Sequence, residues 1–182
     1  MTNKKGIRVA QISDTHIRNL KYHEEYRIVF QNIYEQLERD HPDIIVHCGD
    51  LAHTKTQLSP EYFALAADFL SSLADIAPLY VIAGNHDGNL KNGSRLDAIT
   101  PIVEALNHPQ IHFLLNSGET KVNDDLCLNV LSVFDRDNWV HPTDSSKVNV
   151  ALYHGSIKGS KVGSDWALEN GEDDVSIFAG FD

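Results

Sequence analysis

The chain has 182 residues, 42% hydrophobic and 23% charged, the proportions of one soluble globular domain with a substantial core. A formal net charge of −11 argues against a broad basic face for nucleic acid, although carboxylates that gather divalent cations count as negative until the metal arrives. No run approaches the ~20 apolar residues of a membrane span. The opening Met1–Gly6 lacks the apolar stretch of a signal peptide, and Cys48 and Cys127 are too few for a disulfide framework or zinc ribbon. The expectation is a cytoplasmic protein with no membrane association.

In chain order, Ile7 to Ile12 reads as a short buried strand followed by Ser13-Asp14-Thr15-His16. Tyr22, Tyr26, Val29, Ile33 and Leu37 recur at helical spacing within 22–39. Ile44 to Cys48 is a second strand, ending in Gly49-Asp50. Ser59-Pro60-Glu61 starts a helix to about Leu73, with Tyr62, Phe63, Leu65, Ala66, Phe69, Leu70 and Leu73 inward. Leu79 to Ala83 is a third strand, ending in Gly84-Asn85-His86-Asp87. Ser94 to Asn107 is helical in part with a break at Thr100-Pro101. Ile111 to Leu115, Leu126 to Val133 and Val148 to Tyr153 are further strands, the last ending in His154-Gly155. Ser156 to Asp182 shows no clear period. Strand–helix alternation over the whole length predicts a single α/β domain.

Four apolar strands thus end in metal-ligand residues: Asp14 with His16, Asp50, Asn85 with His86, and His154. Loops at the carboxyl ends of strands in an α/β sheet converge on one crevice, so these residues can share a site. Carboxylate, imidazole and amide oxygen together suit borderline-hard divalent ions. Each piece has a plainer reading. Asp-x-His and Gly-Asp also serve as caps and turns, and His154 could be an ordinary core or turn histidine. The joint order and strand-end placement is what points to a dinuclear metal site.

With those residues in view, Asp14-x-His16, Gly49-Asp50, Gly84-Asn85-His86-Asp87 and His154-Gly155 resemble the first four motifs of the calcineurin-like metallophosphoesterases, in their usual order. The resemblance implies a metallophosphoesterase-type α/β sandwich. It implies two divalent ions, manganese first, with iron, zinc or magnesium as alternatives. By that match Asp14 and His16 bind one ion, Asp50 bridges, and Asn85 and His154 bind the other. His86 contacts the phosphate and protonates the leaving group.

Gly49-Asp50-Leu51-Ala52-His53 departs from the protein-phosphatase pattern and is similar to SbcD-type DNA repair nucleases, including phage members, as are Tyr153-His154-Gly155-Ser156 and Asp165-Trp166. That similarity implies DNA ends as substrate, an SbcC-type ATPase as partner, and a role for His53 in positioning the end. The plainer reading of His53 is an exposed loop histidine, and Trp166 reads as a core or loop anchor. Nothing after His154 matches the family's fifth motif, Gly-His/Asp-x-His, and Ser176 to Asp182 looks like the approach to its strand. The expectation is a C-terminally incomplete nuclease domain, weak in metal binding and prone to dimerise. The alternatives are a small-molecule, cyclic-nucleotide-type phosphodiesterase and a non-catalytic fragment that binds metal or DNA ends.

Overall fold

The computed structural model describes residues 6–18, 20–56, 58–92, 94–162 and 166–182, which form two compact units divided between Leu114 and Leu115. The fold is α/β with a parallel and a mixed sheet, consistent with the metallophosphoesterase class.

The first unit is built on β1 (Val9–Ile12), β2 (Ile44–Cys48), β3 (Leu79–Ile82) and β4 (Ile111–Phe113), all parallel and in that spatial order. Every residue of β2 and β3 is buried, as continuous apolar runs require of strands covered on both faces. The first strand differs from expectation. It stands at the sheet's edge, with Val9 38% exposed, because among the described residues β1 pairs with β2 alone.

Helix α1 (His23–Asp40) buries His23, Phe30 and Leu37 and leaves Tyr22 and Val29 exposed. The predicted apolar series is therefore not the face that packs most deeply. The contact is fixed by Phe30, whose ring stacks on Phe69 with centroids 4.0 Å apart. Helix α2 (Pro60–Ile76) begins as its sequence dictates: the Ser59 hydroxyl accepts the Tyr62 N–H at 3.2 Å, and Pro60 occupies the first turn, where no amide proton is needed. Its inward residues are the expected ones, except that Phe63 is half-buried and Ala74 joins the core. Thr100-Pro101 proves to be the start of α3 (Thr100–Leu106) rather than a break in a longer helix. The Asp97 carboxylate accepts the Ile99 and Thr100 N–H groups at 2.7 Å each and so sets that start.

The second unit holds β5 (Gly118–Lys121), β6 (Leu126–Leu131) and β7 (Val148–Tyr153), with β5 antiparallel and β7 parallel to the central β6. The two-stranded ribbon of β8 (Lys161–Val162) and β9 (Trp166–Ala167) follows. Val175–Phe178 is a 3-10 turn in place of a strand approach, with the Asp174 side chain accepting the Ser176 N–H. Arg136 Nη1 donates to both Asp173 oxygens at 2.9 Å, and the Tyr153 hydroxyl donates to Asp173 as well, fastening the tail to β7. Cys48 and Cys127 are buried, and no disulfide joins them. Among the described residues no helix is long and apolar enough to cross a membrane.

Candidate metal centre

The parallel ladder of β1 and β2 continues past the strand ends into the loops that carry the first two motifs. Asp14 N–H donates to the Gly49 carbonyl at 3.0 Å, His16 N–H to Asp50 at 2.9 Å, and Ile17 N–H to Leu51 at 2.8 Å. The loops are zipped together and hold their side chains in fixed relation. Asp14, His16 and Asp50 all take left-handed backbone, with φ of 55°, 45° and 56°. For residues other than glycine that region costs roughly 1–2 kcal/mol each, the kind of strain that collects at functional positions. The outcome is a cluster in which His16 Nε2 lies 3.7 Å from Asp14 Oδ1 and 3.6 Å from Asp50 Oδ2. The Asp50 side chain is 4% exposed and that of Asp14 56%, so the cluster runs from the interior to an opening.

The third loop is locked to the second by a reciprocal clasp. His86 N–H donates to Asp50 Oδ1 at 2.9 Å, while Asp87 Oδ2 accepts the Asp50 and Gly84 N–H groups at 2.8 and 2.9 Å. Asp87 Oδ1 accepts Ala52 N–H at 2.8 Å. Asp87 is fully buried. Burial pushes its carboxyl up to about 6, helped by the charge of Asp50, while the three backbone donors pull the other way. Gly84 is needed here: a Cβ would collide with the Asp50 backbone nitrogen and Oδ1. Lys55 Nζ adds a strap, donating to the Asn85 carbonyl at 3.1 Å and to Gly88 at 2.7 Å.

His86 Nδ1 sits 2.7 Å from the His53 carbonyl oxygen. A carbonyl only accepts, so Nδ1 carries a proton and Nε2 is the nitrogen that faces chemistry. His53 is held below the usual histidine range, first by desolvation and then by Arg18, His16 and His86. One ring nitrogen from each of His16, His53 and His86 falls within 4.8 Å of the others. Beside the cluster a cleft of about 600 Å³ is bounded by Asp14, His16 and Arg18 and by the Tyr22, Tyr26 and Phe30 side chains of the α1 region.

Of the residues singled out in the sequence, Asp14, His16, Asp50, His53 and His86 are thus brought together in the first unit, and Asn85 lies in the same clasped loop. His154 is half-buried and follows β7 in the second unit. Asp165 lies outside the described residues. Trp166 is 58% exposed, so it is no core anchor. Two contributors were missed. Asp87 stands in the quoted motif and could have been suspected as the carboxylate that pins the turn. Lys55 carries no signal in the sequence.

The donor set fits a divalent ion. Two carboxylates and an imidazole converge, and the buried Nδ1 atoms of His16 and His53 have no partner among the described residues. A parallel sheet whose strand-end loops gather such ligands is the setting of a hydrolytic metal centre. The family comparison agrees. The pattern of the calcineurin-like phosphoesterases matches residues 7–180, and the chain belongs to that family, whose chemistry is metal-dependent phosphoester hydrolysis. An uncharacterized protein, R555, of Acanthamoeba polyphaga mimivirus is 34% identical over 187 residues, spanning 95% of this chain and 14% of the viral protein. Among solved structures, the Pseudomonas putida nuclease MPE covers 82% of this chain and 63% of its own at 17% identity and a TM-score of 0.43. Yfce, a phosphoesterase from E. coli, covers 78% and 62% at 17% identity and a TM-score of 0.34. The chain therefore spans less than two thirds of each of these relatives.

Proposed function

We propose that this chain is a dinuclear-metal phosphodiesterase acting on DNA ends in the manner of the SbcD-type repair nucleases, with an SbcC-type ATPase as partner. The observation that carries the hydrolytic part is the clasp that joins Asp50 to His86 and Asp87 and so sets a proton donor beside a buried carboxylate. Asp14, His16 and Asp50 would hold one ion, and Asp50 and Asn85 a second. His154 is added to the second set on the motif match alone. Two such ions, manganese first, would supply positive charge to the phosphoryl oxygens and a water acidified toward neutrality.

The chain's own residues do the rest. His86 keeps its Nδ1 proton on the His53 carbonyl and delivers a second proton from Nε2 to the departing alkoxide. His53, held below the usual histidine range, donates one ring N–H to a phosphate oxygen and orients the strand terminus. Asp87 and Lys55 keep the loop from drifting, which matters because displacement by ~1 Å can cost ~10²-fold in rate.

A second reading has its own support. A cleft of about 600 Å³ with Tyr22, Tyr26 and Arg18 beside the cluster is the size of a small-ligand pocket and suits one nucleotide. It favours a cyclic-nucleotide-type phosphodiesterase. The deciding experiment compares Mn²⁺-dependent degradation of linear duplex DNA with hydrolysis of cyclic nucleotides by the same preparation. Degradation from DNA ends supports the nuclease. Turnover of cyclic nucleotides alone replaces it with the second reading, and neither activity with added Mn²⁺ refutes both.

A further inference from the structure

His16, His53 and His86 form a group that the dinuclear scheme uses only in part. One nitrogen of each lies within 4.8 Å of the others. The His16 ring stands edge-on to both neighbours, at 81° to His53 and 82° to His86, whereas His53 and His86 are within 24° of parallel. Three imidazoles around one small volume are a borderline, nitrogen-only donor set, unlike the oxygen-rich set of Asp14 and Asp50. The outer hydrogen bonding is also that of a ligand: a metal-bound histidine characteristically donates its second ring N–H to a carbonyl, as His86 Nδ1 does to His53. The Nδ1 atoms of His16 and His53 are buried without a partner among the described residues.

Geometry allows the closure. Zn–N bonds of ~2.0–2.1 Å in a tetrahedron place the nitrogens roughly 3.4 Å apart, so the rings need to draw in by about 1 Å, a small torsional change. Arg18 lies near enough to His53 to oppose a cation. The carboxylates of Asp14 and Asp50, 3.7 and 3.6 Å from His16, counter it.

We propose that His16, His53 and His86 constitute an imidazole-only site for a zinc-class ion, exclusive with the catalytic arrangement. An ion on His86 Nε2 removes the proton donor, so zinc binding shuts the enzyme off. Only this shut-off rests on the function proposed above; the binding itself does not.

The test uses the chain as it stands. Zn²⁺ titration by calorimetry and Cu²⁺ electron paramagnetic resonance are run on the wild type, Asp14→Asn and His53→Gln, with Mn²⁺ titrations in parallel on the wild type and Asp50→Asn. The expected result is Zn²⁺ affinity that falls in His53→Gln by at least the ~10–100-fold that even a supporting partner of a metal ligand is worth, and by much less in Asp14→Asn, which removes a nearby charge but no nitrogen. The Cu²⁺ spectrum should show three coupled nitrogens falling to two. If circular dichroism finds His53→Gln misfolded, His86→Gln reads the same loss. Zn²⁺ affinity that falls with Asp14→Asn and ignores both histidine changes overturns the site, as does a Cu²⁺ spectrum with one nitrogen. Absence of Mn²⁺ binding in the wild type sinks the dinuclear reading separately and leaves the imidazole site standing on its zinc result.

Discussion

Replacing Asp87 by asparagine tests the clasp with the smallest change in shape. In the wild type Oδ2 accepts two backbone N–H groups and Oδ1 one, all between 2.8 and 2.9 Å, in a fully buried setting. The amide can turn its oxygen toward Asp50 and Gly84, but its NH₂ then faces the Ala52 N–H, donor against donor. One buried donor is left unsatisfied, at about 1–3 kcal/mol. For a chain of this length each kcal/mol moves the melting temperature by roughly 2–4 °C, so a fall of roughly 2–12 °C is expected. The Ala52 backbone must also draw away from the loop, two residues after Asp50, so Mn²⁺ affinity should fall although no ligand atom was removed. Thermal unfolding by circular dichroism and Mn²⁺ calorimetry on Asp87→Asn measure both effects. An unfolding midpoint within 1 °C of wild type, with unchanged Mn²⁺ affinity, would refute the argument that these three hydrogen bonds hold the site together.

Changing His86 to glutamine should leave Mn²⁺ binding intact and lower turnover by ~10²–10⁴-fold, less for a nitrophenyl diester whose leaving group needs no proton. Equal losses on both substrates would assign His86 to phosphate binding. Asp50→Asn should abolish Mn²⁺ binding more fully than Asn85→Ala, since Asp50 is the proposed bridge and its Oδ1 also accepts the His86 N–H; two ions bound to Asp50→Asn by calorimetry would end that assignment. In the second unit, burial raises the Asp173 carboxyl, but Arg136 and Tyr153 outweigh it and hold Asp173 below the usual carboxylate range. Such a depressed acid stabilises the fold above its unfolded pKa of about 3.8, and the contribution is lost as pH falls through the folded value. Carboxyl titration by NMR should show Asp173 moving back up in Arg136→Met, and an unshifted titration would contradict the pairing.

The centre of the fold was legible because β2 and β3 are unbroken apolar runs that turn on Gly-Asp and Gly-Asn, and the residues after such strands are forced to the same end of a parallel sheet. What the sequence concealed falls into two kinds. Short or polar strands carry no period: β8 and β9 have two residues each, and β5 alternates Glu119 and Lys121 outward in a way that reads as loop. The other kind is tertiary. Whether Val29 or Phe30 of α1 faces inward depends on Phe69, more than 35 residues away, and the hold of Lys55 on Asn85 and Gly88 uses backbone carbonyls that no side-chain pattern announces.

The left-handed backbone at Asp14, His16 and Asp50 sets folding and chemistry against each other at three known positions. Glycine at any of them would relax the chain and, by the ~1–2 kcal/mol quoted for L residues in that region, favour the folded state while deleting a donor. Selection for stability alone therefore pushes these positions toward glycine, and under the proposed function the need for a cation would hold them where they are. A descendant released from hydrolysis would be expected to change there early, well before the buried strands β2 and β3 decay. Reading positions 14, 16 and 50 in any homologue should then separate working enzymes from retired scaffolds without an assay.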